Sequence, residues 1–409
     1  MVVVDILNKK RLGKELSYQE LDFIFNGYLN KTVTDYQMSA LLMAICINGM
    51  SDDEIFALTK IFIDSGDVLS FGDTGIIVDK HSTGGIGDKT TLVIAPIVAS
   101  CGVPVVKMSG RGLGYTGGTI DKLESIPGFN VNLTDAKVKS QLKKIGVTIS
   151  SQTANLTPLD KVIYALRDVT ATVSSIPLVA SSIMSKKIAA GADKILIDIK
   201  VGKGALLRTK EEAKKLSELM IKIGQFYQRE VMTVISDMNT PLGSCIGNSL
   251  EVLEAIDILK GKQYNTALSE LCIELATDMV SMGKEISKRE AKVLVLESLN
   301  KGRAYGKFLE LVKEQGGDIS MVKVSSNTQK IKAPKSGVVG KIDALAVGKL
   351  SVELGAGRKT KEDKIDYTVG IKLNKLVGDV VKKGDVLATL YVKDKIDLDD
   401  IPAIFTIVD

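Results

Sequence analysis

Residues 79–91 read Asp79-Lys80-His81-Ser82-Thr83-Gly84-Gly85-Ile86-Gly87-Asp88-Lys89-Thr90-Thr91 and lie between an apolar run, IIVD (76–79), and a second one that extends to about Ser100. Glycines let a backbone approach an anion closely, and the unbonded N–H groups of a helix's first turn point at it. Lys80, Ser82 and Thr91 add a cation and two hydroxyl donors, so the segment is suited to hold phosphate. The GxxxxGK[ST] phosphate loop is a competitor, because Lys89-Thr90 imitates its end. However, Thr83 and Asp88 stand where its glycines belong, and an acidic side chain there would repel a nucleotide's phosphates. A tight strand-to-helix turn without a ligand would look much the same, so this loop alone is weak evidence.

A second segment changes the weighing. Lys107-Met108-Ser109-Gly110-Arg111-Gly112-Leu113-Gly114-Tyr115-Thr116-Gly117-Gly118-Thr119 also follows a predicted strand, VPVVKM (103–108). Parallel sheets bind ligands at the carboxyl ends of neighbouring strands, and two such loops would face one crevice. Ser109 and Thr119 are the added donors. His81, the chain's one histidine, lies inside the first loop. Histidine titrates near neutral pH and can donate a proton or a hydrogen bond there. Farther along, Ser182 and Lys186 are four apart on a predicted helix and share a face. From the residues alone, Lys186-Lys187 reads as a solvated helix end and Arg167 as a partner of a helix C-terminus.

The elements that must position these groups follow from periodicity. Ser17–Glu20, Thr34–Gln37 and Ser51–Glu54 form capping boxes, each followed by apolar residues at helical spacing: Leu21, Ile24, Phe25 and Leu29; Met38, Leu41, Leu42 and Ile45; Ile55, Leu58, Ile61 and Phe62. Gly27, Gly49 and Gly66 punctuate this helical unit of about 65 residues. From 76 the chain alternates. Strands at 76–79, 103–108, 146–149, 194–199 and 231–236 are separated by helices ending near Ser100 and at 134–145, 158–167, 177–190 and 210–226, which predicts an α/β fold with a parallel sheet covered by helices. The remainder, from about 332, is rich in Val, Gly and Lys and predicts a β-rich C-terminal domain.

Composition excludes several classes. Of 409 residues, 45% are apolar and 25% charged, an ordinary globular balance. No apolar run reaches the ~18–20 residues a membrane helix needs. The net charge of +5 comes from 54 basic and 49 acidic residues, without a basic block interleaved with aromatics, so no nucleic-acid groove is expected. Cys46, Cys101, Cys245 and Cys272 form no CxxC pair and, with one histidine, no zinc cluster. Reduced thiols and a start, MVVVDILNKK, in which apolar residues precede charge predict a cytoplasmic protein.

KHSTGGIGD followed by SGRGLGYTGGTIDKLESIPGF resembles the signature of the thymidine and pyrimidine-nucleoside phosphorylases. The resemblance extends through ALRDVTATVSSIPLVASSIMSKKIAAGAD (165–193) and GAGRKTKEDKID (355–366). It implies a homodimer with a discontinuous helical domain (1–65 plus 158–190) on the pyrimidine side and at the dimer interface. It also implies a mixed-sheet α/β phosphate-binding domain (76–150 plus 193–331), a C-terminal domain (332–409) and a cleft that closes in catalysis. The implied activity is reversible phosphorolysis of pyrimidine nucleosides, with inorganic phosphate as co-substrate and no organic cofactor. Carried over by position, Lys80, His81, Ser82, Thr91, Lys107, Met108, Ser109 and Thr119 would hold phosphate. Arg167, Ser182, Lys186, Leu113 and Lys107 would contact the nucleoside, and His81, Arg167 and Lys186 would be catalytic.

Departures from the family pattern bear on range and ions. Lys107 resembles the branch that accepts uridine as well as thymidine. Tyr115 stands where the pattern commonly has histidine, and Leu206 where an aromatic often lies against the base. Some relatives bind potassium through Gly87, a threonine at position 89, and residues matching Leu242, Cys245 and Glu254. Here position 89 is lysine, whose ammonium would substitute for the ion and pair with Glu254. Two rival readings are a phosphoribosyltransferase of the anthranilate type, using a diphosphate donor and magnesium, and a biotinyl-like carrier. The second is disfavoured because APKSGVVGKI and VGDVVKKGDVLATLYV enclose no Met-Lys-Met acceptor.

Overall fold

A computed structural model describes all residues except 73, 113, 154, 263–264, 361 and 399–402. In chain order it begins with helices α1 (Val3–Arg11), α2 (Tyr18–Leu29), α3 (Asp35–Asn48) and α4 (Asp52–Asp64). Strand β1 (Val78–Ser82), helix α5 (Thr90–Ser100), strand β2 (Val105–Ser109), helices α6 (Thr119–Glu124) and α7 (Asp135–Ile145), and strand β3 (Val147–Ser151) follow. Next come α8 (Pro158–Val169), α9 (Ile176–Ala189), β4 (Lys194–Val201), α10 (Lys210–Phe226), β5 (Glu230–Asp237) and β6 (Cys245–Ile246). Helices α11 (Asn248–Leu259), α12 (Ala267–Lys284), α13 (Lys288–Asn300) and α14 (Arg303–Glu314) lead to the C-terminal strands. These are β7 (Thr328–Lys332), β8 (Gly337–Ile342), β9 (Gly370–Leu373), β10 (Val380–Val381), β11 (Val386–Tyr391) and β12 (Phe405–Val408), with helix α15 (Ala344–Glu353) after β8. The chain divides into two compact units: Met1–Asp73, Thr153–Ile197 and Thr209–Thr233 form one; Thr74–Gln152, Asp198–Arg208 and Val234–Asp409 form the other.

The first unit is helical. Both predicted Ser–Glu boxes close at the starts of α2 and α4: each serine hydroxyl accepts from the glutamate N–H, and the glutamate carboxylate accepts from the serine N–H. At α3, Gln37 Oε1 accepts from the Thr34 N–H at 3.1 Å. The Glu54 carboxylate also binds Lys10 Nζ at 2.7 Å and the Leu16 N–H at 2.9 Å, so one cap residue ties α1 and the following turn to α4. The apolar stripes converge on a core that includes Leu21, Phe25, Met38, Leu42, Leu58 and Phe62, joined by Leu159, Ile163 and Leu178 from α8 and α9. Burying each such side chain stabilises by about 1.5–3 kcal/mol. Phe25 and Phe62 meet edge to face at 5.9 Å. Gly49 ends α3 at φ +72, whereas Gly27 lies inside α2, where a Cβ would meet Val33 Cγ2 at 2.8 Å. Helix α10, grouped by the sequence reading with the α/β part, groups here with the helices: Lys222 pairs with Asp52 and the Tyr227 hydroxyl donates to Phe56 O at 2.9 Å.

In the second unit α5 is buried on all sides, from Thr90 to Ala99, which explains its uniformly apolar sequence. Strands β2 and β3 pair in parallel from Val105–Val147 to Ser109–Ser151. A second sheet has the order β1-β4-β5. The C-terminal strands form antiparallel ladders, β6-β9-β11-β7 and β10-β8-β12. The expected β-rich segment is therefore joined to the rest of its unit through β6, where Cys245 pairs with Lys372 and Ile246 with Ile371.

Candidate active site

Strand β1 delivers Lys80, His81 and Ser82 to the first glycine-rich loop, and α5 presents Thr91 from its first turn. The loop is anchored from below: Thr83 N donates to Asp198 O at 3.1 Å, and Lys200 N donates to Thr83 Oγ1 at 2.8 Å. Gly87 has φ +74, and a Cβ there would lie 2.6 Å from Leu242 O, so the position requires glycine. Lys80 is buried; its Nζ donates to Thr90 Oγ1 at 2.6 Å and lies 3.4 Å from Asp198. Ser82 Oγ donates to Asp88 at 2.5 Å and accepts from Gly84 N at 3.1 Å. Burial opposes ionisation of Asp88, but Lys80, Lys200 and hydrogen bonds from Ser82 and Thr90 outweigh it and hold the carboxyl well below the usual carboxylate range. Lys200 is buried against Asp198 at 2.7 Å and is held charged by Asp88 and Asp198 despite desolvation. Beneath the loop, two lysines thus balance two aspartates.

The second loop leaves β2 at Ser109 and enters α6 at Thr119. Lys107 and Met108 are buried on β2, with Lys107 Nζ donating to Met108 O at 3.2 Å. Lys122, on α6, joins the two loops: its Nζ donates to Asp88 O at 2.8 Å and lies 3.1 Å from Glu251. Leu113 lies outside the described residues. Tyr115 is half exposed, with Lys349 over its ring at 5.5 Å. Leu206 is partly buried.

In the helical unit, α8 and α9 bring Arg167, Ser182 and Lys186 together around Asp160 and Tyr164. Lys186 Nζ donates to Asp160 Oδ2 at 2.7 Å and to Ser182 Oγ at 2.8 Å. Tyr164 lies 5.8 Å from the Arg167 guanidinium and 5.7 Å from Lys186 Nζ. Arg167 is not a simple helix-end cation. It is 1% exposed, and its guanidinium donates to Thr172 O, Val173 O and Leu178 O. Desolvation lowers its pKa, and Asp160 works against that shift. Lys186 is likewise no solvated end: 19% of its side chain is exposed.

Lys89 occupies a cage of oxygens. Its ammonium donates to Leu242 O at 3.0 Å, Cys245 O at 2.7 Å and Glu254 Oε2 at 2.5 Å. Burial works against the charge on both partners, but each favours the other's charged form, so the Lys89 pKa is raised and the Glu254 pKa lowered. Desolvation pushes the Cys245 thiol up to about 11, so it stays protonated.

Asp160, Asp198, Lys200 and Lys122 escape the sequence reading, and Asp88 enters it only as an acidic side chain unsuited to a nucleotide loop. For Asp160 a signal exists: Asp160, Tyr164 and Arg167 follow at i, i+4 and i+7 on one helix face. For Asp198 and Lys200, buried in a strand more than a hundred residues from Lys80 and Asp88, no local pattern distinguishes them.

Three family models match the chain. They are a glycosyl transferase family helical bundle domain over residues 4–66, a glycosyl transferase family a/b domain over 74–305, and a pyrimidine nucleoside phosphorylase C-terminal domain over 338–405. A pyrimidine-nucleoside phosphorylase of Staphylococcus haemolyticus (strain JCSC1435) is 51% identical, over 98% of this chain and 94% of the relative. One of Staphylococcus aureus (strain MSSA476) is 49% identical over the same shares. Among solved structures, anthranilate phosphoribosyltransferase of Thermus thermophilus matches with a TM-score of 0.61 and 18% identity, covering 76% of this chain and 99% of that one; this likeness concerns the fold alone. By identity along nearly its whole length, the chain belongs to the pyrimidine-nucleoside phosphorylase family, enzymes of the glycosyl-transfer class.

Proposed function

We propose that the protein catalyses reversible phosphorolysis of uridine, thymidine and deoxyuridine, giving the free base and ribose or deoxyribose 1-phosphate. The observation that carries this is the pairing of two glycine-rich loops, each opening a helix and joined through Lys122, in a chain about half identical to phosphorylases over nearly its whole length. Phosphate-dependent release of base from purified protein tests it.

In this reading Lys80, His81, Ser82, Thr91, Lys107, Ser109 and Thr119, with the backbone at Met108, hold phosphate near the anomeric carbon, and proximity supplies much of the rate. The Ser82 hydroxyl, which here donates to Asp88, would turn its proton toward phosphate. Arg167, Ser182 and Lys186 hold the pyrimidine, with His81 donating to a ring carbonyl. Lys186 commits two of its three N–H groups to Asp160 and Ser182, leaving one for the base. Three of the five N–H groups of Arg167 hold backbone carbonyls, leaving two. As the glycosidic bond breaks, the departing ring gains negative charge. Preorganised cations that meet that charge only as it forms lower the barrier.

Lys107 favours the range that includes uridine over a strict thymidine phosphorylase. The Lys89 ammonium, held by Leu242 O, Cys245 O and Glu254, takes the place of a potassium ion near Gly87. The helical segments 1–65 and 158–190 serve the base side and a homodimer interface. Exposed apolar side chains on α3 and at the end of α8, with Tyr36 74%, Ile47 75% and Val169 78% exposed, support the latter. Among the described residues no helix is long and apolar enough to cross a membrane.

A further inference from the structure

The C-terminal β-rich segment reaches the feet of the second glycine-rich loop through Arg358. Arg358 is largely buried, with 12% of its side chain exposed. Its Nη1 donates to Asp121 Oδ1 at 2.8 Å and to Gly112 O at 3.3 Å. The other Asp121 oxygen accepts from Gly112 N at 2.6 Å. Farther along the loop, Gly114 N donates to Arg358 O at 3.1 Å. Side chain and backbone of one residue therefore hold the loop at two points, and Asp121 closes the ring from α6.

Around this ring the described parts of the loop pack closely. A Cβ at Gly112 would lie 2.5 Å from both Gly118 N and Thr116 O, and one at Gly348 would lie 3.0 Å from Tyr115 O. Ile120 N donates to Gly110 O at 3.4 Å, which draws the two feet of the loop together. Those feet carry Ser109 and Thr119. A planar guanidinium can bridge a carbonyl and a carboxylate at fixed geometry, which an ammonium on a flexible stem does less well.

We propose that Arg358 is a positioning residue for phosphate: by holding Gly112 beside Asp121 through its guanidinium and Gly114 through its carbonyl, it sets the conformation of the loop whose feet carry Ser109 and Thr119. This rests on the phosphorolysis reading above, and it gives the C-terminal segment a part in ligand binding as well as in stability.

The test measures steady-state kinetics of wild type, Arg358→Met, Arg358→Lys, Asp121→Asn and the Arg358→Met/Asp121→Asn pair with uridine and phosphate, together with the rate of tryptic cleavage after Arg111. Losing hydrogen bonds to a charged group predicts a KM for phosphate raised roughly tenfold or more in Arg358→Met. The KM for uridine and kcat at saturating phosphate should move by less than about threefold. Cleavage after Arg111 should accelerate, Arg358→Lys should recover only part of the loss, and the double variant should be no worse than the worse single one. An unchanged KM for phosphate with unchanged cleavage would overturn the proposal, as would full recovery by lysine or additive losses. If Arg358→Met does not fold, Arg358→Lys and Asp121→Asn carry the same comparison. Wild type that releases no base with phosphate would sink the phosphorolysis reading instead, and the cleavage rates would still judge the pinning.

Discussion

Lys89 Nζ lies 2.5 Å from Glu254 Oε2, with both side chains buried, and the same ammonium reaches the carbonyl oxygens of Leu242 and Cys245. Two carbonyls and a carboxylate around a cation are what a monovalent metal ion would receive, here supplied from within the chain. A built-in cation needs no ion from solution. Activity should therefore be the same, within about twofold, in potassium and in tetramethylammonium buffers of equal ionic strength. Lys89→Thr, which leaves the oxygens without their cation, should lower stability and make activity respond to added potassium. Strong potassium dependence of the unaltered protein would contradict this assignment.

The same pairs govern stability against pH. Asp88 and Glu254 have folded pKa values below their ordinary ones. Their contribution is present above the unfolded carboxylate range, about 4, and is lost as pH falls through the lowered folded values. Lys89 and Lys200 have raised folded values. Their contribution is complete below about 10.4 and is lost as pH rises through the raised values. Melting temperature should thus be nearly flat from about pH 5 to 9 and fall at both ends. In Lys89→Met the alkaline fall should be shallower; an identical alkaline limb would show that Lys89 contributes nothing there.

Arg167 and Lys186 should separate in their effects. Arg167 anchors the carbonyls of Thr172, Val173 and Leu178, so Arg167→Ala should cost at least about 1.5–3 kcal/mol in unfolding free energy, besides activity. Lys186→Gln retains a hydrogen-bond donor to Asp160 and should unfold closer to the unaltered protein. Its kcat should fall by about 10²–10³ because charge stabilisation in the transition state is lost. Chemical denaturation alongside initial rates distinguishes the two, and equal stability losses would undo the distinction.

Gly87 tests the first loop's backbone. With φ at +74 and a Cβ destined to lie 2.6 Å from Leu242 O, Gly87→Ala should cost about 1–3 kcal/mol and weaken phosphate binding. A melting temperature equal to that of the unaltered protein would show that the loop can relax around a methyl group.

What can be read in the sequence is mostly local. The boxes at Ser17–Glu20 and Ser51–Glu54 close because their partners are three residues apart, and the apolar spacing around Phe25, Met38 and Phe62 fills the core it predicts. The helix at 210–226 matches α10, although its grouping with the helical unit depends on contacts to Asp52 and Phe56 far earlier in the chain. Strand β1 begins two residues later than the apolar run IIVD suggests, because that run marks burial, while the strand continues through Asp79, Lys80 and His81. Of these, Lys80 is accommodated because Asp198 lies against its ammonium and Thr90 Oγ1 accepts from it. Helices α11 to α14 have no counterpart in the sequence reading, although Ser287–Glu290 is a capping box that marks the start of α13. The links that complete the site, Lys186 to Asp160 and Arg358 to Asp121, span 26 and 237 residues, beyond any periodicity argument.

Phosphorolysis is tested by incubating the protein with uridine, thymidine or adenosine, with and without phosphate, and following free base by absorbance. Uracil and thymine should be released only with phosphate, with matching formation of pentose 1-phosphate and no adenine. Release from thymidine alone would contradict the breadth assigned through Lys107, and absence of phosphate-dependent release from either pyrimidine nucleoside would contradict the function itself.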